Sequence, residues 1–133
     1  MTFARYLADH GVDPHAPVDT LTARFIKYAG GEDPDTLFAA LIAQFALVNL
    51  GITAERGTEV DVVYRGNGGQ VLGCEILAWD DTVDEARVAA LVAFSNAQDA
   101  LAAGVLTQRR TGTVEGVPLR PLAVEALRVG LRG

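Results

Sequence analysis

The chain has 133 residues, with 11 Lys+Arg against 17 Asp+Glu and a formal net charge of −6; half of it is hydrophobic and 21% is charged. This describes one globular domain, long enough to bury roughly two-thirds of its unfolded surface without a metal or disulfide. It excludes a disordered chain, a collagen-like repeat, a two-domain enzyme and a generally basic nucleic-acid coat.

Residues 3–10 read as a short helix capped by Thr2 and closed by Gly11. Pro14 and Pro17 mark a linker over 12–18. Asp19 then stands ready to cap a second helix, with Leu21, Phe25 and Tyr28 on one stripe and Gly30-Gly31 as its stop. Asp33-Pro34 is a strong start signal, a capping carboxylate ahead of a proline whose missing N–H is not needed at the first helical position. The third helix runs over 34–50 with Phe38, Leu41, Ile42, Phe45 and Val48 inward. Gly51 serves as its left-handed cap, and Ile52 folds back against it. The stretch 36–54 carries no charged side chain, but Gln44 and Asn49 interrupt it and no Lys/Arg cluster flanks it, so it reads as a buried helix and not a membrane span.

The pattern then changes to strand. Residues 52–56 form a short strand; 59–65 alternates, with Val60, Val62 and Tyr64 on one face; and 66–69 is a glycine turn. Residues 71–79 alternate again, with Leu72, Cys74, Ile76 and Ala78 apolar. Keeping one face dry pairs Val60 with Ile76, Val62 with Cys74 and Tyr64 with Leu72 across a loop of about five residues. That register sets Asp61 opposite Glu75. Thr82-Val83-Asp84-Glu85 is a capping box opening a helix to about residue 103, stopped by Gly104, with Val83, Ala90, Phe94, Ala97 and Leu101 inward. A second hairpin is expected from 105–110 and 113–117 around Thr111-Gly112, and Pro121 opens a closing helix to about residue 129. The expected fold class is α+β: helices packed on one small antiparallel sheet, in the order α-α-α-β-β-β-α-β-β-α. Residues 1–33 form an N-terminal helical extension and 34–133 a single α+β module.

Chemistry-bearing residues are sparse. Cys74 is the single cysteine, so neither an intramolecular disulfide nor a CxxC motif is possible, and on an apolar strand face it reads as an inert hydrophobe. The opening residues lack the cationic start and apolar run of a signal peptide, so a cytoplasmic protein is expected. His10 and His15 flank Asp13-Pro14 in a solvated turn, with no second ligand cluster at metal spacing. Ser95 lies in a helix with no histidine nearby in sequence. Asp80, Asp81, Asp84 and Glu85 lack calcium-loop spacing and suit helix capping. Residues 1–104 hold six basic and fifteen acidic side chains, whereas 105–133 hold Arg109, Arg110, Arg120, Arg128 and Arg132 against Glu115 and Glu125, a net +3. This basic tail either folds back onto the acidic body or attracts an acidic peptide or phosphate. Like charges opposed across a hairpin repel, so Asp61 and Glu75 require Arg65, hydration or a bridging divalent cation.

Those two acids carry a resemblance. Thr58-Glu59-Val60-Asp61-Val62-Val63, the glycine turn and Cys74-Glu75-Ile76-Leu77 resemble the metal hairpin of PD-(D/E)xK nucleases, over residues 35–105. In that family the two acids bind Mg²⁺, and a lysine two residues past the second helps activate water. The resemblance implies Asp61 and Glu75 as metal ligands. Leu77 stands where the lysine belongs, and the chain's one lysine is Lys27, so a degenerate nuclease-like protein is implied. Over 35–133, the order of helix, three strands, helix, two strands and closing helix is similar to type III secretion chaperones and their relatives outside secretion systems. Size, low pI and the Asn96-Ala97-Gln98-Asp99 stretch add to that likeness. It implies homodimerisation through the second major helix or the adjacent sheet, and capture of an extended partner segment.

The leading expectation is therefore a non-enzymatic protein-binding module of chaperone or adaptor type, a homodimer with no cofactor and no membrane attachment. Its helices are apolar on more than one face, with Leu37 and Leu41 beside Phe38 and Phe45, and Leu91 and Val92 off the main stripe. A small monomer has little interior to hide all of these. Arg109 and Arg110 are candidate contacts for an acidic partner segment through charge-assisted hydrogen bonds, with Leu77 and Trp79 as further contacts on a sheet whose edge suits an extended peptide. The alternatives are a metal-dependent nuclease-like protein through Asp61 and Glu75, and a nucleic-acid-associated protein through the C-terminal arginines.

Overall fold

Three helices lead the computed structural model, which describes residues 2–48 and 51–131: α1 (Phe3–Asp9), α2 (Val18–Ala29) and α3 (Pro34–Val48). Two of their starts follow the sequence signals. The Thr2 hydroxyl accepts from the Arg5 amide at 3.2 Å. The Asp33 carboxylate accepts from the Thr36 hydroxyl at 2.7 Å and the Thr36 amide at 3.0 Å, which holds its pKa below the usual carboxylate range. α2 differs. It begins one residue before Asp19, with Pro17 at the cap and no side-chain bond there, and Asp19 sits in the first turn, where its charge suits the helix dipole. The expected end of the third helix at residue 50, the inward side chain of Val48, and Arg132 lie outside what is described.

The sheet is mixed, not antiparallel. β1 (Thr53–Arg56), β2 (Val62–Arg65) and β3 (Val71–Ala78) form an antiparallel meander. α4 (Glu85–Ala97) then crosses one face, and β4 (Ala102–Thr107) returns parallel to β3. β5 (Gly112–Val114) and β6 (Val117–Pro121) form a hairpin, and β6 inserts between β4 and β5, parallel to β4, giving the order β1-β2-β3-β4-β6-β5. α5 (Leu122–Leu131) closes the fold. The sixth strand and the position of the second hairpin correct the sequence reading. Val117-Pro118-Leu119-Arg120-Pro121 has two prolines that cannot donate to a ladder and so reads against a strand. The chain in fact reverses at Glu115-Gly116, both at positive φ (51° and 80°), the conformation that two-residue hairpins favour.

The hairpin register also differs by one residue: Val62 pairs with Glu75, Val63 with Cys74 and Tyr64 with Gly73, with a bulge after Tyr64. The reason is that both sheet faces are covered. Val63, Cys74, Ile76 and Ala78 pack under Val88 and Leu91 of α4, while Val62, Tyr64, Leu77 and Trp79 pack against the cluster built by α1, α2, α3 and α5. A strand that needs apolar residues on both faces gives its alternation little power to fix register.

α4 starts at Glu85 with Asp84, not Thr82, as its cap, the carboxylate accepting from the Ala86 amide at 2.9 Å. It ends at Ala97 rather than near 103, because Ala102-Ala103-Gly104 pairs with Gly73-Cys74-Glu75 as strand. Tertiary pairing overrides helix propensity there. Leu101, expected inward, is 85% exposed. Residues 1–33, expected as an extension, contribute Phe3, Leu7, Leu21 and Phe25 to the cluster that holds Leu37, Leu41, Leu122 and Leu127. Gln44, fully buried on α3, joins its neighbours: its side chain accepts from the Phe3 amide and donates to the Ala126 carbonyl. Gln44→Leu leaves the Phe3 amide, at the first position of α1, buried without an acceptor, while the Ala126 carbonyl lies inside α5 and loses only a second donor, so we expect a loss of about 1–3 kcal/mol, read as a lower urea midpoint at unchanged slope. No helix among the described residues is long and apolar enough to cross a membrane.

Candidate functional site

The parallel β3–β4 pair brings two small-residue runs side by side. Gly73 faces Ala102, and Glu75 faces Gly104. With no side chain at Gly73 or Gly104, the sheet surface stays open beneath α3 and α5, and a cavity of about 170 Å³ remains there. Its walls are Phe45, Ile52, Leu72, Ala102 and Ala103, and its polar groups are Tyr64, Glu75, Arg120, Glu125 and Arg128.

Glu75 is the centre of this arrangement. It is 4% exposed, and the Tyr64 hydroxyl donates to its Oε1. Its Oε2 is buried with no hydrogen-bond partner among the described residues. Burial first, and the neighbouring Glu125 charge second, push the carboxyl up to about 7, against the lowering effect of Tyr64, Arg120 and Arg128. Burial and the Glu75 charge raise the Tyr64 phenol in turn, so it stays a neutral donor. The Tyr64 ring lies 4.8 Å from that of Phe45. Glu125, also buried, has its own cations: Arg128 donates from Nη2 at 2.6 Å and Nε at 3.1 Å, and Arg120 Nη1 lies 3.9 Å away. A carboxyl held near neutrality in a cavity, beside a neutral phenol and an ion-paired carboxylate, can accept a hydrogen bond, receive a proton or release one.

The structure does not bring the hairpin acids together. The Asp61 amide donates to the Glu75 carbonyl at 3.0 Å, but the Asp61 carboxylate accepts from the Leu77 amide at 2.6 Å and pairs with Arg87 of α4 at 3.1 Å. Arg65 serves neither acid; it donates to Glu55 and to the Gly69 carbonyl. Among the described residues, no three His, Cys, Asp or Glu side chains gather closely enough to share a metal ion. His10 instead sits on the Tyr6 carbonyl, and the amide of His15 donates to Asp13. Cys74 is buried and burial raises its thiol pKa.

Arg109 and Arg110 lie in the loop between β4 and β5, on the opposite side of the strand order from β1. Asp81, at φ 65°, draws that loop inward by accepting from the amides of Gln108 at 2.8 Å, Arg109 at 3.0 Å and Arg110 at 3.3 Å. The Arg109 side chain pairs with Asp19 of α2 at 2.5 Å, so this arginine of the basic tail folds back onto the acidic body, whereas Arg120 and Arg128 serve Glu125 within the tail itself. Leu77 and Trp79 are half-buried against the four-helix cluster.

The sequence singles out Glu75 as the acid opposed to Asp61 across the hairpin, a candidate metal ligand, and does not place Tyr64, Glu125, Arg120, Arg128 and Gly104 around it. The strand alternation held a signal for Tyr64, two residues from Val62. Nothing in spacing linked Glu75 to α5, some fifty residues later. Fold and site together define an α+β protein with a buried-carboxyl cavity in a mixed sheet. Compared with family models, curated proteins and solved structures, the chain has no significant match in any of the three.

Proposed function

We propose that the chain is a small-ligand-binding protein and that the Glu75 cavity is its site. One observation carries the reading: the buried Oε2 of Glu75, which lines the cavity without a hydrogen-bond partner among the described residues. Dehydrating a carboxyl oxygen is costly unless a donor replaces the lost water. A mostly apolar cavity with a few convergent polar groups is the usual form of a small-molecule site. The test is an amide NMR titration with benzene-sized compounds. Shifts clustered at Gly73, Ala103 and Gly104 are the expected result; no shifts, or shifts scattered over the surface, overturn the reading.

The homodimeric protein-binding module expected from the sequence remains a second reading, favoured by the outer face of α4. There Ala86, Ala89, Ala90, Ala93 and Ala97 are exposed, a surface that allows close approach of a second helix. The large side chains that first motivated it are mostly covered within the chain; among the described residues Leu101 and Val124 stand exposed. Light scattering across the micromolar range decides: a dimer mass supports this reading, and a monomer mass removes the homodimer.

A further inference from the structure

We infer that the Glu75 cavity takes a compact cation, an ammonium or amidinium group carried on an apolar body about one ring in size; the inference rests on the cavity being a ligand site. The wall cations are already engaged. Arg128 holds Glu125 through two nitrogens, at 2.6 and 3.1 Å, and Arg120 adds a longer contact to the same carboxylate. Among the described residues Glu75 has no such ion pair: the hydrogen bond it accepts comes from a neutral phenol, and its second oxygen has no partner. When the Glu75 carboxyl is ionised, the open valence of the cavity is an acceptor. Arg120 and Arg128 also line the cavity but are paired with Glu125, so an ionised Glu75 repels an anion and offers a cation the lining carboxyl that no arginine among the described residues pairs with.

The shape agrees with this charge argument. Apolar cavities of about 150 Å³ hold benzene, and this one measures about 170 Å³. Phe45, Ile52, Leu72, Ala102 and Ala103 supply contact for a ring or short aliphatic chain. The Phe45 and Tyr64 rings, 4.8 Å apart, offer π-faces beside the carboxyl, which a cation also favours. Gly104 keeps the approach to Oε2 clear, since a Cβ there would stand 3.4 Å from that oxygen.

The experiment is calorimetry on the full chain with benzylamine and benzamidine, against benzyl alcohol and benzoate as neutral and anionic isosteres. The two cations are expected to bind in preference to both isosteres. The groups facing Glu75 are Tyr64 from β2, Arg120 from β6, and Glu125 and Arg128 from α5. A cation has to meet the ionised carboxyl, so its affinity is expected to be about tenfold higher at pH 8 than at pH 6, with a proton released at the lower pH. Glu75→Gln is expected to weaken the cations at least tenfold and benzyl alcohol, which brings no charge to the carboxyl, by much less, whereas Gly104→Ala, which keeps the carboxyl and narrows its approach, weakens both kinds of compound to a similar extent. Benzoate binding more tightly than benzylamine, or cations that bind Glu75→Gln as well as wild type, overturn the inference and leave the cavity as a ligand site. If none of the four compounds binds, the cavity reading fails with it.

Discussion

Phe25→Ala is expected to cost the fold about 3–5 kcal/mol, the usual loss for removing a fully buried aromatic side chain. Phe25 has no exposed surface, meets Phe3 edge-on at 5.1 Å, and shares its cluster with Leu122, Ala126 and Leu127 of α5. The interest lies in where the loss is felt. If α1 and α2 were a separable extension, the variant would lose helix signal in an early step and leave the rest intact. Packing against α5 makes them part of one core, so urea unfolding should remain a single transition with a lowered midpoint. Trp79, the chain's one tryptophan, packs against the same cluster and gives an independent probe. Coincident circular-dichroism and fluorescence transitions are the expected result; a fluorescence transition left at its wild-type midpoint would show that the N-terminal helices fold apart.

The helices were the legible part of this chain because their signals are local. Thr2 and the Asp33-Pro34 pair mark their starts through side chains only a few residues from the amides they satisfy, and Gly30 closes α2 at φ 90°. The β2–β3 hairpin was legible as an element, since its glycine turn and two alternating runs adjoin. Its register was not, because Glu75 breaks the apolar alternation on the four-helix face, and that face needs context to identify. The errors grow with sequence distance. Whether 102–107 continues α4 or joins the sheet depends on Gly73–Ala78, some thirty residues earlier. Whether 117–121 is a strand depends on a place between β4 and β5 that exists only once β4 has paired. The candidate site falls on the same divide. Glu75 is visible as an anomaly within its strand, whereas the residues that give it meaning come from β2, β4, β6 and α5 and converge only in the folded chain.

Glu75→Gln is expected to stabilise the protein by about 3 kcal/mol above pH 8 and to leave its stability nearly unchanged near pH 4. Burial, with help from the Glu125 charge, raises this carboxyl from 4.5 to about 7 in the folded state. Below 4.5 it is protonated in both folded and unfolded chains, and its burial carries no ionic penalty. Between 4.5 and about 7 the unfolded chain releases the proton while the folded chain keeps it, so the unfolded state binds fewer protons and stability falls as pH rises. Above 7 both states are ionised and the full penalty persists; the gap between the two values corresponds to about 3 kcal/mol. Glutamine keeps a carbonyl oxygen for the Tyr64 hydroxyl and cannot ionise. Urea midpoints for both proteins between about pH 4 and pH 9 should therefore diverge with rising pH. Parallel curves would show that Glu75 is not a strained carboxylate in the folded chain. A bound cation reverses the effect in the wild type alone: because it binds only the folded state, benzylamine should recover stability by RT ln(1 + [L]/Kd) at pH 8 and do little for Glu75→Gln. The same carboxyl thus weakens the empty fold above neutral pH and strengthens the liganded one, which is the trade expected where a fold gives up stability to hold a binding group.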